Sequence, residues 1–443
     1  MAPDILIAWF NVHGGAFHKL LALHERLRTS GLDCRLGFNS GPPRGLKTGA
    51  DVPEALLPEL ESQGVRLLPR AELLAWAAEL LAGSKDERPR LLLTDAHHDP
   101  DIPGLIAEAK TRGVTTVQMA TLLGDFTCHG AEHLLIQHPL TLFFEREFNR
   151  TKESARLAQA KSITFTGNIF FEPTTNPLFG GFADRAGFCA KYGYNPERPI
   201  LLWLPSAPDA ASPIYEEVCQ VVERAGMNLA IKLHPWDYAL KKHGPQPGDA
   251  WGLGRPSDEV FGRRAVDEPD STWAFHFCDA AILRTSAMSL ELPFWERPGL
   301  LLPAELKPKL FEAQAFMTRT CSLSLGGVDA LERLLEGELP SHSPEDYQRA
   351  RNVVRLPGPD DAYARTASAL RQILAGDGQD GHGPDRPGDT AAPPAQLRPG
   401  NSPDALGRAY EPHVNDMLAR ALTPARRLRY EFGCLRRWLK GRE

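Results

Sequence analysis

The chain has 443 residues, of which 42% are hydrophobic and 24% charged. That ordinary globular mix excludes a collagen-like repeat, a largely disordered chain and a bundle of membrane spans, and at about 100 to 200 residues per domain it leaves room for two or three domains. The formal net charge of −6 argues against a protein that blankets nucleic acid, because such proteins carry a strong basic excess.

Short apolar runs alternate with amphipathic segments from the N-terminus, the pattern of parallel strands covered by helices. Strands are predicted at Ile5 to Phe10, Leu91 to Thr94, Val114 to Met119, Leu134 to His138 and Ser162 to Asn168. Asn11-Val12-His13-Gly14-Gly15 reads as a turn into a helix carrying Leu20, Leu21, Leu23 and Leu27. The loop from Asp95 to Pro100 leads into a helix around Leu105 to Lys110. A second alternating unit opens at Arg198-Pro199, with strands at Ile200 to Leu204, Leu229 to Leu233, Ala280 to Leu283 and Gly299 to Leu302. Its helices are predicted at Ile214 to Arg224, Ala287 to Trp295, Val328 to Leu335 and, closing the unit, Ala362 to Leu374. The expected fold class is therefore α/β, with two Rossmann-like domains at residues 1–165 and 166–375.

Residues 376–403 hold six Gly and six Pro among 28 positions, with Leu397 the only large apolar side chain. Such a segment buries too little surface to offset its ordering entropy, so 376–412 is expected to be a disordered linker. The remaining segment, 413–443, carries eight Lys or Arg against three acids, a charge of +5 that leaves the rest of the chain at −11. Seven scattered cysteines (Cys34, Cys128, Cys189, Cys219, Cys278, Cys321 and Cys434), none in a C-x-x-C pair, predict neither a disulfide framework nor a zinc knuckle. Without a basic n-region or a long apolar run, no signal peptide or membrane span is expected, and the cytoplasm is the default compartment.

Two constellations point to chemistry. In the first, the predicted strand ending at Leu283 delivers Arg284, Thr285 and Ser286 to a helix start, where hydroxyls and unpaired backbone N–H groups suit a phosphate, and Glu291 follows about one and a half turns later. In the second, His234-Pro235 ends a strand, which puts a histidine in the crevice where α/β sheets bind ligands. An ordinary Ser N-cap and a plain His-Pro turn are the simpler readings of each taken alone. Their order along the chain, from Thr166-Gly167-Asn168 through Pro205-Ser206 and His234-Pro235 to Ser286 and Glu291, resembles the GT-B nucleotide-activated transferases of bacterial cell-surface polymer synthesis. The likeness is to CDP-glycerol glycerophosphotransferases and capsule-polysaccharide transferases, with UDP-N-acetylglucosamine 2-epimerases as structural cousins.

That resemblance implies two facing Rossmann-like domains with the nucleotide donor in the second. Ser206, Thr285 and Ser286 would contact phosphate, Glu291 the ribose, and His234 the diphosphate; Arg284, where the family commonly has Asp, stands as a substitute phosphate contact. The first domain would supply the acceptor side, with Gly14 and Gly15 admitting a close ligand approach. General-base candidates are His13, Asp95 with its neighbours His97, His98 and Asp99, and Asp125 or His129. Adjacent His side chains in an extended loop diverge, so no metal is assigned to Asp95–Asp99, and no cofactor is expected beyond the donor substrate. The expected activity is transfer of a sugar or glycerophosphoryl unit to a cell-envelope glycan or lipid-linked acceptor. A nucleotide-sugar 2-epimerase and a non-catalytic glycan- or nucleotide-binding module are the alternatives.

In the tail, Thr423-Pro424 suits a helix start. Leu428, Phe432, Leu435 and Leu439 then share a face, opposite Arg426, Arg427, Arg429, Arg436, Arg437 and Lys440, with Trp438 at the boundary. Residues 424–440 thus have the form of a helix lying on an anionic leaflet, which makes the protein peripheral on the inner face of the plasma membrane; docking on the protein body would hide the same stripe. The chain is expected to co-sediment with phosphatidylglycerol vesicles and not with neutral ones. Binding should weaken at high salt and vanish in a chain ending at residue 412.

Overall fold

The computed structural model describes residues 2–10, 14–40, 52, 54–96, 99–120, 127–137, 159–174, 181–205, 213–232, 266, 271–284, 286–304, 315, 318–354, 361–376 and 396–397. Of the expected linker, 377–395 and 398–412 lie outside the described residues, as does the whole basic tail. Two sheets organise the chain. The first contains β1 (Ile5–Trp9), β2 (Cys34–Asn39), β3 (Val65–Leu68), β4 (Leu91–Asp95), β5 (Thr115–Met119), β6 (His133–Ile136) and β7 (Ser162–Phe165), all parallel, in the order β7-β6-β5-β4-β1-β2-β3. The strand order reverses between β1 and β4, and the crevice at the carboxyl ends of such a reversal is where open α/β sheets take ligands.

Both faces of this sheet are covered, so β1 is apolar throughout and its alternate residues enter different cores. Ile5, Ile7 and Trp9 pack with Phe17, Leu20, Leu23 and Leu27 of α1 (Gly14–Thr29). Leu6, Ala8 and Phe10 face Leu73, Trp76 and Ala77 of α3 (Arg70–Ala82) and Ile102, Leu105 and Ile106 of α4 (Ile102–Thr111). Strands β2 and β3, helix α2 (Leu57–Ser62) and helix α3 were not anticipated from sequence. The apolar run of β2 is broken by Arg35 and Gly37. Gly37 has a packing reason, since a Cβ there would lie 2.3 Å from the Trp76 ring.

The second sheet has five parallel strands, β8 (Ile200–Leu204), β9 (Asn228–Ile231), β10 (Ala280–Leu283), β11 (Gly299–Leu301) and β12 (Ser322–Ser324), in the order β12-β11-β10-β8-β9. Its reversal falls between β8 and β10. On one face lie α6 (Pro213–Arg224) and α9 (Val328–Leu335). The other face packs on α5 (Arg185–Tyr192) and α7 (Ser271–Phe277), joined by the short α8 (Leu292–Trp295), and α10 (Pro344–Val354) lies against α8.

Three expectations are corrected. The helix expected from Ala287 to Trp295 is a 3-10 turn, Ala287–Leu290, followed by the four residues of α8. Pro293 lacks the N–H that a continuous α-helix would donate back to Ser289. The closing helix, expected to belong to the second domain, is α11 (Ala362–Gly376), and it packs on the first: Ala362, Ala367, Leu370, Ile373 and Leu374 share a core with α1 and β1. Finally, Gln396–Leu397, inside the segment expected to be a disordered linker, forms β13, which pairs antiparallel with β7.

Helix α1 is pinned to β2 by His24, which is 1% exposed and donates from Nε2 to the carbonyl of Cys34 at 2.9 Å. Burial lowers the His24 pKa from 6.5 to about 4, only partly opposed by that hydrogen bond. The unfolded chain therefore binds a proton that the folded one refuses between these values, and the stability held above pH 6.5 falls as the pH drops toward 4. Urea denaturation should show a stability about 2 kcal/mol lower at pH 5 than at pH 7 from this group. The His24→Gln variant should show a shallower fall.

Candidate functional site

The strand order of the second sheet reverses between β8 and β10, and the carboxyl ends of such a reversal are where open α/β sheets take ligands. Pro205 ends the first of these strands, while Arg284 and Ser286 follow the second. Arg284 donates from Nε to the carbonyl of Pro303 at 2.7 Å, which fixes the guanidinium base against the strand next door. Ser286 has an extended backbone and caps the 3-10 turn, its Oγ accepting from the Met288 amide at 3.3 Å. Because that turn is only four residues long, its dipole contributes far less than the full helix expected from sequence would have. In the same turn Ser289 is fully buried and its Oγ has no hydrogen-bond partner.

Glu291 follows that turn directly, at its C-cap. It is 4% exposed, and its Oε1 accepts from Lys19 Nζ at 3.2 Å and from Trp295 Nε1 at 3.1 Å. Lys19 comes from α1 of the first domain, so this buried ion pair joins the two domains. Lys19 Nζ also donates to the backbone carbonyl of Glu172, just beyond β7. The side chain of Glu172 turns the other way and accepts from the Ala362 amide at 3.2 Å, at the start of α11, where Asp361 caps the Ala364 amide at 2.7 Å. Tyr363 meets Thr174 at 2.8 Å between hydroxyls, and burial pushes its pKa far up. The domain junction is thus a single polar assembly.

The Thr166-Gly167-Asn168 segment makes the exit from the first domain. Gly167 has φ +79°, and a Cβ there would lie 3.1 Å from that of Ala362, so both conformation and space select glycine. Asn168 Oδ1 accepts from the Phe170 amide at 2.8 Å and holds the bend.

At the crevice of the first sheet Asp95 is fully buried, and its Oδ2 accepts from the Phe10 amide at 2.8 Å, tying β1 to β4 across the reversal. Gln118 donates to the Asp95 carbonyl at 3.2 Å and accepts from the His129 amide at 2.7 Å. Asp95 and His129 are therefore brought to one place, with His129 half-buried. Asp99 is held elsewhere, by Arg70 at 2.6 Å. Gln137, just past β6, is 2% exposed with neither side-chain polar atom partnered, and a buried unsatisfied amide at a strand end calls for a ligand or solvent partner. Gly14 and Gly15 open α1. His13, His97, His98, Asp125, Ser206, His234 and Thr285 lie outside the described residues.

Sequence reasoning missed Lys19, Glu172, Gln137 and Tyr363. One signal was available, since Lys19 interrupts the apolar stripe of Ala16, Leu20, Leu23 and Leu27. The described cysteines are free and buried, and burial pushes the Cys278 and Cys321 thiols up to about 12, which makes them poor nucleophiles. Among the described residues no helix is long and apolar enough to cross a membrane.

No protein-family model matches the chain, and no curated protein sequence does. Solved structures do share its fold. S. aureus MnaA in a co-structure with UDP superposes with a TM-score of 0.51 at 13% identity, over 84% of this chain and 97% of that one. The UDP-GlcNAc 2-epimerase from Neisseria meningitidis bound to UDP-GlcNAc gives 0.51 at 10% identity, over 84% and 99%. A putative UDP-N-acetylglucosamine 2-epimerase from Listeria monocytogenes gives 0.51 at 12%, over 88% and 100%. The fold is GT-B, two Rossmann-like domains facing one another.

Removing one member of a buried ion pair strands the other, at about 3–5 kcal/mol, whereas replacing both with apolar groups of similar volume is close to neutral. Lys19→Met and Glu291→Leu should each lower the unfolding free energy by that amount. The double variant should recover most of the loss, as read by denaturant titration.

Proposed function

We propose that the chain is a GT-B transferase that takes a nucleotide-activated donor in its second domain and passes a sugar or glycerophosphoryl unit to a cell-envelope glycan or lipid-linked acceptor. The observation that carries this reading is the crevice at the β8/β10 reversal. Arg284 and Ser286 stand at its mouth, and the carboxylate of Glu291 lies at the seam with the facing domain. UDP is bound in the first of the structures that share the fold and UDP-GlcNAc in the Neisseria enzyme, which supports a nucleotide ligand here.

In this reading the diphosphate contacts Arg284, Thr285 and Ser286, with Ser206 and His234 as further contacts, and the ribose hydroxyls reach Glu291. Gly14 and Gly15 let the first domain approach. His129 is the general base, with His13 the other candidate. For sugar transfer the base removes the acceptor hydroxyl proton as its oxygen bonds the anomeric carbon. The bond from that carbon to phosphate breaks, and the nucleoside diphosphate leaves. For glycerophosphoryl transfer from CDP-glycerol, the acceptor oxygen attacks the glycerol-bearing phosphorus and CMP leaves.

Asp95 favours transfer over epimerisation. A 2-epimerase needs carboxylates converging on the sugar, and the carboxylate at the reversal of the first sheet is fully buried and accepts the Phe10 amide. The basic tail then brings the enzyme to acceptors at the inner leaflet.

Purified protein incubated with UDP-sugars and CDP-glycerol, with and without a membrane-derived acceptor fraction, tests the reading through nucleotide release. Acceptor-dependent release is the expected result, and His129→Ala should lower its rate about 10²–10⁴-fold. Conversion of a nucleotide sugar with no acceptor would instead identify the epimerase. Binding without turnover of any donor would identify a binding module, and failure to bind any nucleotide would refute all three.

A further inference from the structure

We infer that Lys19 is a positioning residue for ribose recognition: from the first domain it orients the Glu291 carboxylate of the second, so that the site selects ribonucleotides over 2′-deoxyribonucleotides. The inference rests on the reading of the second-domain crevice as a nucleotide site and adds to it a residue that the sequence did not single out.

The geometry is asymmetric. Both protein donors, Lys19 Nζ at 3.2 Å and Trp295 Nε1 at 3.1 Å, converge on Oε1 of Glu291. No hydrogen bond from the described residues ends on Oε2. A carboxylate offers about four acceptor sites over its two oxygens. One oxygen held by two donors of fixed position leaves the other in a defined direction, with its acceptor capacity unused. The matching ligand group is a pair of adjacent hydroxyls, as on a ribose. Each hydroxyl donates one hydrogen bond to the charged acceptor, and such bonds are the stronger kind.

Lys19 is itself fixed from its far side. Its ammonium donates to the Glu172 carbonyl, and the Glu172 side chain is anchored to the Ala362 amide. Lys19 is 6% exposed and sits within the apolar stripe of α1. Its desolvation is expensive unless both charges stay paired. An isolated buried lysine would serve stability poorly; a lysine that aligns an opposing carboxylate serves specificity. Trp295 contributes the second donor from the indole edge, so that two bonds together set the direction of the carboxylate.

Isothermal titration of the full chain with UDP, CDP, ADP and GDP identifies the nucleotide bound most tightly, and the same titration with its 2′-deoxy form gives the ratio of affinities. The wild type should prefer the ribonucleotide by about tenfold or more, the worth of one hydrogen bond to a charged acceptor. In Lys19→Met, checked for a native circular dichroism spectrum below its melting temperature, the ratio should fall to about one to threefold while the affinity for the 2′-deoxy form changes little. A merely structural role would weaken both forms alike and leave the ratio intact. Trp295→Phe keeps the ion pair, removes the second donor, and should lower the ratio by about two- to fivefold. This variant keeps the test decisive if Lys19→Met does not fold. A wild type that binds nucleotide without preferring ribose, or variants that keep the wild-type ratio, would overturn the role of Lys19 and leave the nucleotide site standing. A wild type that binds none of the four nucleotides would overturn the nucleotide site, and this inference with it.

Discussion

Lys19 and Glu291 are separated by most of the chain and meet in a space nearly closed to water, one from each domain. Withdrawing an ammonium and a carboxylate from water costs several kcal/mol per ion, and their attraction offsets this only while geometry and additional hydrogen bonds are right. Here the additional bonds come from Trp295 on the carboxylate side and the Glu172 carbonyl on the ammonium side. The two domains therefore have a preferred relative position at this point, because parting them leaves two charges to be rehydrated and an indole without its acceptor. The α11 helix reinforces the arrangement. It leaves the second domain, starts against Glu172, and completes the apolar core behind α1, the helix that carries Lys19.

Topology also sets where the candidate ligand positions lie. In both sheets the strand order reverses once, between β1 and β4 and between β8 and β10. Parallel strands deliver all their carboxyl ends to one edge, so each reversal opens a crevice on that edge. Asp95, Gln118 and His129 gather at the first, and Arg284 and Ser286 at the second. The sheets below are packed on both faces, and burial leaves the Cys278 and Cys321 thiols too weakly acidic to act as nucleophiles. Polar function is left to the strand ends and the junction.

Much of this was legible in the residues. Continuous apolar strands such as Ile200–Leu204 stand out because both of their faces are buried, and Gly167 marks the exit from the first domain through a conformation that glycine adopts freely. Other elements were hidden for definable reasons. Strand β2 carries Arg35 and Gly37, which break its apolar run, and the reason for Gly37 is a tryptophan about forty residues away. The packing of α11 on the first domain is a tertiary choice, since its apolar face is equally suited to either domain. Pro293 was visible as a helix breaker, and it divides what the apolar spacing alone suggests is one helix. The junction followed the same division: Glu291 stood out from motif order, whereas its partner did not, because a lysine in an amphipathic stripe names no partner until the chain is folded.

In the proposed mode of binding, a paired carboxylate at the domain junction reads the ribose of a nucleotide held at the carboxyl ends of β8 and β10. A crystal structure of the chain with UDP or CDP tests it most directly. The expected result is the diphosphate beside Ser286, the two ribose hydroxyls on Oε2 of Glu291, and Lys19 still on Oε1. A nucleotide bound elsewhere, or bound in this crevice with its ribose turned away from Glu291, would contradict it.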